Sequence, residues 1–216
     1  GQGLLFQEHA AVNPLKFGVI ASTDTHLGTP GAVDESNFLG HGGAGKSFRS
    51  SIPKGLPDDI EFNPGGLAVA WAEENSRSSI FDAFQRKEVY GTSGPRFIVR
   101  FFLGEDLDEN LCQTSDAISH AYDNATPMGG TIKSISLNQA RLFISSQADA
   151  NLPDQFIEKL QVIKGIVRDG HLVTSVHDVE VANSSSQLDK KTCEIIGKGQ
   201  KKMCTVWDDP DFDNSE

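Results

Sequence analysis

The chain has 216 residues, of which 38% are hydrophobic and 23% are charged, and its formal net charge is −11. This length is sufficient for one large domain or two small ones with a hydrophobic core. The negative charge argues against nucleic acid and anionic lipid as partners, because both require clustered Lys and Arg, and no apolar run approaches the roughly 20 residues that span a bilayer.

The N-terminal region predicts a helix followed by a buried strand. Residues 4–12 have the composition of a helix end, which Asn13-Pro14 would stop. Residues 17–21 (Phe-Gly-Val-Ile-Ala) then form a short apolar run between Pro14 and a loop rich in Gly and Pro. That pattern predicts a parallel strand covered on both faces.

Asp24 and His26 follow this strand directly. In an extended backbone, residues i and i+2 point to the same side, and the chemistry of α/β proteins collects at the C-terminal ends of strands. A carboxylate beside a neutral imidazole suits a hydrolytic divalent metal such as Zn or Mn. The alternative is that Asp24 caps the next turn while His26 lies in solvent.

Residues 27–65 form a long loop rich in Gly, Pro, Ser and Asp, which is typical of a functional or disordered segment. Residues 40–47 match the P-loop pattern G-x-x-x-x-G-K-[ST]. A true P-loop follows a buried strand and opens a helix, but neither flank has such a pattern. We therefore interpret the loop as a lid or crossover near the metal, from which His41 or Lys46 approaches the site or a substrate anion.

Residues 66–72 predict either a second buried strand or the approach to a helix. The helix itself is capped by Asn75 or Ser76, and its core-facing apolar stripe comprises Ile80, Phe81, Ala83 and Phe84. Glu73 and Glu74 are candidates for a general base or a metal ligand. The alternative role of both residues is to stabilise the N-terminus of the helix.

The second half of the chain predicts short strands separated by turns, which favours a β-sandwich. Asp169-Gly170 lies between two β-rich runs and predicts a hairpin turn. The acidic stretch 208–213 is interpreted as an exposed tail, and His120, His171 and His177 as surface residues. The predicted strands cover residues 96–102, 131–135, 140–146, 159–167 and 171–181.

Three cysteines are too few for a disulfide scaffold. Cys193 and Cys204 flank a pattern of strand, Gly-Lys-Gly turn and strand. A hairpin there would place them opposite each other, which permits a cross-strand disulfide in an oxidising compartment. Two free thiols are the alternative, and zinc is not expected, since no other Cys or His lies at ligand spacing.

Residues 17–26 (Phe-Gly-Val-Ile-Ala-Ser-Thr-Asp-Thr-His) resemble the last metal-ligand motif of the polymerase-and-histidinol-phosphatase (PHP) superfamily, which commonly reads Ser-Asp-Ala-His. More closely, the chain resembles a bacterial family catalogued as a domain of unknown function and placed near PHP proteins. Further matches run in order along nearly the whole chain: residues 13–18, 66–68, 71–75, Tyr90 with 92–96, 127–130, and Trp207 with 209–213.

The resemblance implies an α+β chain. Residues 1–95 would be the C-terminal part of a PHP-like, distorted TIM-type α/β barrel, residues 96–207 a mainly antiparallel β-sandwich, and residues 208–216 an acidic tail. The usual PHP site also uses a His-x-His motif, which occurs nowhere in this sequence. We therefore expect a C-terminal fragment of a metal-dependent hydrolase that is itself inactive and binds metal weakly.

In the intact parent, Asp24 and His26 would be ligands of Zn, Mn or Fe, and the substrate would be a small anionic phosphoester or similar ester. His41, Glu73 and Arg96 are the catalytic candidates, with an interdomain salt bridge as the alternative use of Arg96. The rival functions are a non-catalytic β-sandwich that binds carbohydrate or protein and, less favoured, a P-loop nucleotide-binding protein. We also expect a homodimer that covers apolar edges and a periplasmic or secreted parent.

Overall fold

A computed structural model describes residues 2–23, 65–132, 139–183, 187–189, 191–192, 195–197 and 199–213. These residues form an α+β fold whose sheets are antiparallel, as predicted, and within these ranges the strands form no closed barrel. The described residues divide into two compact units. One comprises those of Gly1–Phe17, Ile98–Ala148 and Phe156–Glu216, and the other those of Gly18–Phe97 and Asp149–Gln155.

The first unit is built on a four-stranded antiparallel sheet with the strand order β10-β5-β3-β4. Its strands are β3 (Ile98–Gly104), β4 (Thr126–Pro127), β5 (Arg141–Gln147) and β10 (Lys202–Asp208). The predicted strands at 96–102 and 140–146 are confirmed within two residues. The most buried side chains of this unit form a core cluster that comprises Phe102, Leu107, Leu111, Ala121 and Phe143, each exposed by 2% or less.

A long two-stranded ribbon in the same unit pairs β6 (Lys159–Arg168) with β7 (His171–Val181). Asp169 and Gly170 join the strands with φ values of 52° and 73°. Positive φ at both central residues is what a two-residue type I′ hairpin turn requires. The predicted hairpin is therefore confirmed.

The remaining elements of the first unit are short. α1 (Gln2–Ala10) confirms the predicted N-terminal helix, and α3 (Ala117–Asn124) follows a 3-10 helix at Leu111–Gln113. β8 (Gln187–Leu188) pairs with β9 (Ile195–Ile196). Residues 133–135 of the strand predicted at 131–135 lie outside the described residues. None of the described helices has the length and apolar character needed to cross a membrane.

The second unit contains a strand-helix-strand element. β1 (Leu67–Ala70) and β2 (Val89–Thr92) are antiparallel, and α2 (Arg77–Arg86) connects them. Ser76 caps α2, because its side-chain oxygen accepts a hydrogen bond from the Ser79 N–H at 3.2 Å. The helix ends at Lys87, whose φ of 60° is left-handed and whose N–H bonds the carbonyl oxygens of Ala83 and Phe84.

The predicted apolar stripe of α2 is only partly core. Ala83 is fully buried, whereas Phe81 is 59% exposed and Phe84 is 40% exposed. The prediction that both phenylalanines belong to the core is therefore wrong. Helical periodicity identifies the apolar face of a helix, but it does not show whether another element covers that face.

The prediction of a buried strand at residues 17–21 is also wrong. The structure has no strand there, and Phe17, Val19 and Ile20 are 65%, 68% and 48% exposed. A short apolar run fits a buried strand only if neighbouring strands pair with it and other elements cover its faces. Among the described residues, no strand pairs with this segment and no element covers these side chains.

Cys204 forms a disulfide with Cys112 and not with Cys193. The predicted Cys193–Cys204 hairpin is wrong, because Ile195–Ile196 pairs with β8 and the strand containing Cys204 pairs with β5. The Cα atoms of Cys112 and Cys204 are 5.7 Å apart, although 92 residues separate them in the chain. Sequence proximity favoured a local partner, but the sheet order brings a distant one close.

The start of the acidic stretch 208–213 belongs to the folded unit. Asp208 lies in β10 and binds the Arg141 side chain through two contacts of 2.6 and 2.8 Å, and this hydrogen bonding lowers the pKa of Asp208. The Asp209 carboxylate is 2.7 Å from Lys164 Nζ and its side chain is 8% exposed. The prediction of an exposed tail is therefore wrong for Asp209, which is mostly buried, and for Asp208 it is wrong only in that this exposed residue belongs to a strand.

Candidate functional site

The segment that leads to Asp24 runs along the β1–β2 hairpin. A Cβ added to Gly18 would lie 2.9 Å from Val89 Cγ2, and one added to Gly91 would lie 2.7 Å from the Ala21 nitrogen. Gly66 lies against the backbone of Ser22, so a Cβ there would collide with the Ser22 carbonyl oxygen. Gly18 contacts Val89, and Ala21, three residues later, contacts Gly91, two residues later in β2. Residues 18–22 therefore run in the same direction as β2.

Ser22 consequently lies at the end of the hairpin where β1 begins and β2 ends. Gly66 directly precedes Leu67, the first residue of β1, and Leu67 pairs with Thr92, the last residue of β2. Asp24 follows Ser22 by two residues and His26 by four. Both predicted metal ligands lie outside the described residues, as do His41 and Lys46.

Arg96 lies on the loop that leaves this same end of the hairpin. The loop is held at several points: the Tyr90 hydroxyl donates to the Phe97 carbonyl oxygen at 2.8 Å, and the Gly94 N–H donates to Thr92 Oγ1 at 3.3 Å. The backbone N–H of Arg96 donates to Asp149 Oδ2 at 2.8 Å. The loop therefore has a fixed backbone, and Arg96 is one of its exposed residues.

Asp149 is a buried carboxylate that fixes this loop. Its residue is 4% exposed, and its second oxygen accepts a hydrogen bond from the Asn151 N–H at 2.9 Å. The hydrogen bond from the Arg96 backbone lowers the pKa of Asp149 below its ordinary value, against the effect of burial. The carboxylate therefore stays ionised at neutral pH and keeps accepting both bonds.

Glu73 lies toward the opposite end of the hairpin. It follows Ala70, which pairs with Val89 at the start of β2. Two four-residue strands separate the two ends by about 10 Å. The backbone N–H of Glu73 donates to Ser79 Oγ, in the first turn of α2, at 3.1 Å. The fold thus brings Ser22 and the Arg96 loop to one end of β1–β2 and does not bring Glu73 to that end.

Sequence reasoning did not identify Asp149 as a residue of this region. It belongs to no catalytic motif, and it is 53 positions from the loop that it holds. The only local signal is the Asp149-Ala150-Asn151 sequence, which is typical of a turn in which an Asp side chain bonds the backbone two residues on. That signal predicts a turn, but not the distant Arg96 N–H.

A second polar cluster lies in the first unit, on one face of the β6–β7 ribbon. Ser175 Oγ is 2.8 Å from His177 Nε2, and the His177 ring centroid is 5.2 Å from that of Trp207 on β10. His177 is therefore a partly exposed residue whose ring also packs against β10. Together with the Lys164–Asp209 ion pair, these contacts pack the ribbon against β10.

Metal binding by the described residues alone is not supported. Among them, no three or more His, Cys, Asp and Glu side chains come together in a group that could hold a metal ion. Asp24 and His26 lie outside the described residues, so this finding does not describe a centre that includes them.

Comparisons with known proteins identify the family of the chain but add no relative of known activity. A search of curated proteins and a search of solved structures each gave no match. The profile of one family matches residues 1–216, which is the whole chain. The chain therefore belongs to the family described as "Protein of unknown function (DUF3604)".

Proposed function

We propose that this chain is part of a metal-dependent hydrolase that resembles PHP-type phosphoesterases, and that Asp24 and His26 bind its divalent metal ion. The main supporting observation is that Ser22 and the Arg96 loop lie at the same end of the β1–β2 hairpin. The backbone that leads to the two proposed ligands thus lies at the same end of the hairpin as the loop that carries Arg96, whose charge suits an anionic substrate.

The chemistry of the two side chains fits such a metal. A carboxylate and an imidazole are ligands of Zn, Mn and Fe in hydrolytic sites. A bound ion of this kind supplies a Lewis acid and lowers the pKa of a coordinated water. Two protein ligands leave most of a coordination sphere to water, so we expect the 216-residue chain alone to bind metal weakly and to lack strong hydrolase activity.

Arg96 is the proposed contact for the anionic part of the substrate. A guanidinium can donate two parallel hydrogen bonds to a phosphate group, which fixes the orientation of the phosphate as well as attracting its charge. The buried Asp149 and the Tyr90 hydroxyl hold the backbone of the Arg96 loop, so less ordering is needed when substrate binds. His41 belongs to the proposed lid, and we assign Glu73 to the segment that precedes α2, where its N–H bonds the Ser79 hydroxyl.

Calorimetric titration of the chain with Mn²⁺ or Zn²⁺ tests the metal site. We expect weak binding that Asp24→Asn and His26→Ala each abolish. Matched controls are Asp82→Asn and His9→Ala, which change an exposed Asp on α2 and an exposed His on α1. Binding that survives both ligand substitutions would exclude the site, and tight stoichiometric metal would exclude the two-ligand arrangement.

Turnover of a phosphate ester by the full-length gene product tests the reaction. We expect Asp24→Asn to lower kcat by at least 100-fold, and Arg96→Lys to raise KM, since a lysine keeps the charge but cannot donate in the bidentate geometry. Arg77→Lys, at the exposed start of α2, is the control. Turnover that is unchanged by Asp24→Asn would favour a non-catalytic binding module instead.

A further inference from the structure

The Cys112–Cys204 bond joins two elements that are far apart in the sequence. Cys112 lies in the 3-10 helix at Leu111–Gln113, and Cys204 lies in the middle of the seven-residue pairing between β10 and β5. Their Cα separation of 5.7 Å falls at the commonest value for bridged cysteines. Both pack against the core cluster that contains Phe102 and Phe143.

The bond adds a covalent link to a segment that also packs on the sheet, since its residues Leu107, Leu111 and Ala121 share the core cluster with Phe102 and Phe143. After β3 ends at Gly104, residues 105–125 leave the sheet and return at β4. Two side chains, one just before β5 and one at its start, hold the first part of this excursion. Gln139 Nε2 donates to the carbonyl oxygen of Glu105 at 3.1 Å, and Arg141 Nη1 donates to the carbonyl oxygen of Leu107 at 2.7 Å. The disulfide is the covalent tie between the excursion and β10.

We propose that this disulfide is a structural modification that the protein acquires in an oxidising compartment, and that Cys193 remains a thiol. Partial burial against apolar side chains shields the bridged sulfurs from solvent, which is the environment of inert structural cysteines and not of reactive ones. In a reducing compartment, glutathione and thioredoxin would keep such a pair as thiols. The proposal is independent of the metal site.

The reaction that forms the bond requires a disulfide-donating thiol oxidoreductase. One of the two cysteine thiolates attacks the disulfide of that enzyme and forms a mixed disulfide. The second thiolate then attacks the mixed disulfide, so that the Cys112–Cys204 S–S bond forms. The enzyme leaves as a dithiol. It has gained two electrons and two protons, and the two cysteines have lost the same number of each.

Thiol trapping in the cells that naturally make the protein tests this proposal. Acid quenching before lysis prevents later air oxidation, and a maleimide added under denaturing conditions labels every free thiol. We expect one labelled cysteine without reductant and three after reduction. Peptide mapping should show Cys193 labelled and a cross-linked peptide pair that contains Cys112 and Cys204. Three labelled thiols before reduction, or a bridge that includes Cys193, would overturn the proposal.

Stability measurements on the purified, oxidised chain provide a second test. Cys112→Ser should lower Tm by roughly 5 to 15 °C, as expected for removing a native disulfide from a chain of this size. Cys193→Ser is the matched control and should leave Tm nearly unchanged. Reductant should lower the Tm of the wild type and of Cys193→Ser, but not that of Cys112→Ser. Equal Tm values for all three proteins, with and without reductant, would contradict a structural role.

Discussion

Lys164 Nζ lies 2.7 Å from Asp209 Oδ2, and only 18% and 8% of the two side chains are exposed. Lys164 also donates to the carbonyl oxygen of Asp211 at 2.7 Å, and the Asp211 N–H donates to Asp209 Oδ1 at 3.1 Å. The ion pair therefore fixes the chain that follows β10 against the β6–β7 ribbon. Because both charges are largely removed from water, each depends on the other for compensation.

Asp209→Asn should lower the free energy of unfolding by about 2 to 4 kcal/mol, since it leaves the mostly buried ammonium of Lys164 without a carboxylate. Urea unfolding at neutral pH measures this change. The control is Asp178→Asn, which breaks the pair between Lys159 and Asp178 at 3.4 Å, where both side chains are more than a third exposed. The control should shift the unfolding midpoint far less, and equal shifts would show that burial does not strengthen the Lys164–Asp209 pair.

The buried Asp149 should make stability depend on acid pH. Its folded-state pKa lies below the ordinary value of 3.8, mainly because of the hydrogen bond from the Arg96 N–H. The unfolded chain therefore binds this proton first as the pH falls. The stabilisation is present above the unfolded value and is lost as the pH falls through 3.8 and then through the lower folded-state pKa.

Asp149→Asn should accordingly destabilise the protein at pH 7 and flatten the acid side of its stability profile. Urea unfolding between pH 7 and pH 2.5 measures both effects. Asp82→Asn, at an exposed position on α2, should leave the profile close to that of the wild type. A wild-type slope that persists in Asp149→Asn would mean that other carboxylates cause the acid dependence.

Two glycines of the β6–β7 hairpin should respond in opposite ways to alanine. Gly170 has a φ of 73° with no atom within 4 Å of an added Cβ, so Gly170→Ala introduces backbone strain without a steric clash. We expect a loss of about 1 kcal/mol. Gly165 lies in β6 with its nearest atoms at 3.8 and 3.9 Å, so Gly165→Ala should be neutral or slightly stabilising. Thermal unfolding of the two variants gives the comparison, and equal losses would contradict the turn assignment.

Gly91→Ala should disturb the segment that leads to Asp24 without changing either proposed metal ligand. The added Cβ would lie 2.7 Å from the Ala21 nitrogen and 2.8 Å from the Ala21 Cβ, so the segment before Asp24 would have to move away from β2. We expect a loss of about 1 to 3 kcal/mol in stability and weaker Mn²⁺ binding in calorimetry. Gly165→Ala is again the control, and unchanged metal affinity in a folded Gly91→Ala would mean that the β2 contact does not position the ligands.

Local signals in the sequence were sufficient to predict several elements of the fold. The cap of α2 follows from a Ser before an apolar-periodic stretch, and the Ser76 hydrogen bond confirms it. The turn at Asp169-Gly170 follows from the need for positive φ at two consecutive positions, which the structure shows. In both cases, the physical cause lies within a few residues of the pattern.

Long-range partners could not be read in the same way. Nothing near Cys204 indicates that its strand pairs with β5, about 60 residues earlier, and that Cys112 lies beside it. The apolar residues Val19 and Ile20 have the composition of a buried strand, but their exposure depends on neighbours that the local sequence does not specify. The Asp149–Arg96 contact likewise has no signature in either segment.

Of the proposed metal ligands and catalytic candidates of the parent, the structure describes only Arg96 and Glu73. Asp24, His26 and His41 lie outside the described residues, so their assignment stays a prediction. Arg96 and Glu73 are described, and the hairpin separates them because one follows β2 and the other follows β1. Sequence order does not reveal this separation, since antiparallel pairing determines which loops share an end.

The order in which the ribosome releases the cysteines makes correct oxidation a late event. Of the three cysteines in this sequence, Cys112 emerges first and Cys193 second. Cys204, the partner of Cys112, emerges after both, as part of the strand β10 that pairs with β5. Cys193 therefore becomes available to Cys112 before the partner Cys204 does. Export of an unfolded, fully reduced precursor, or a disulfide isomerase that can undo a premature Cys112–Cys193 bond, would protect the yield of native protein.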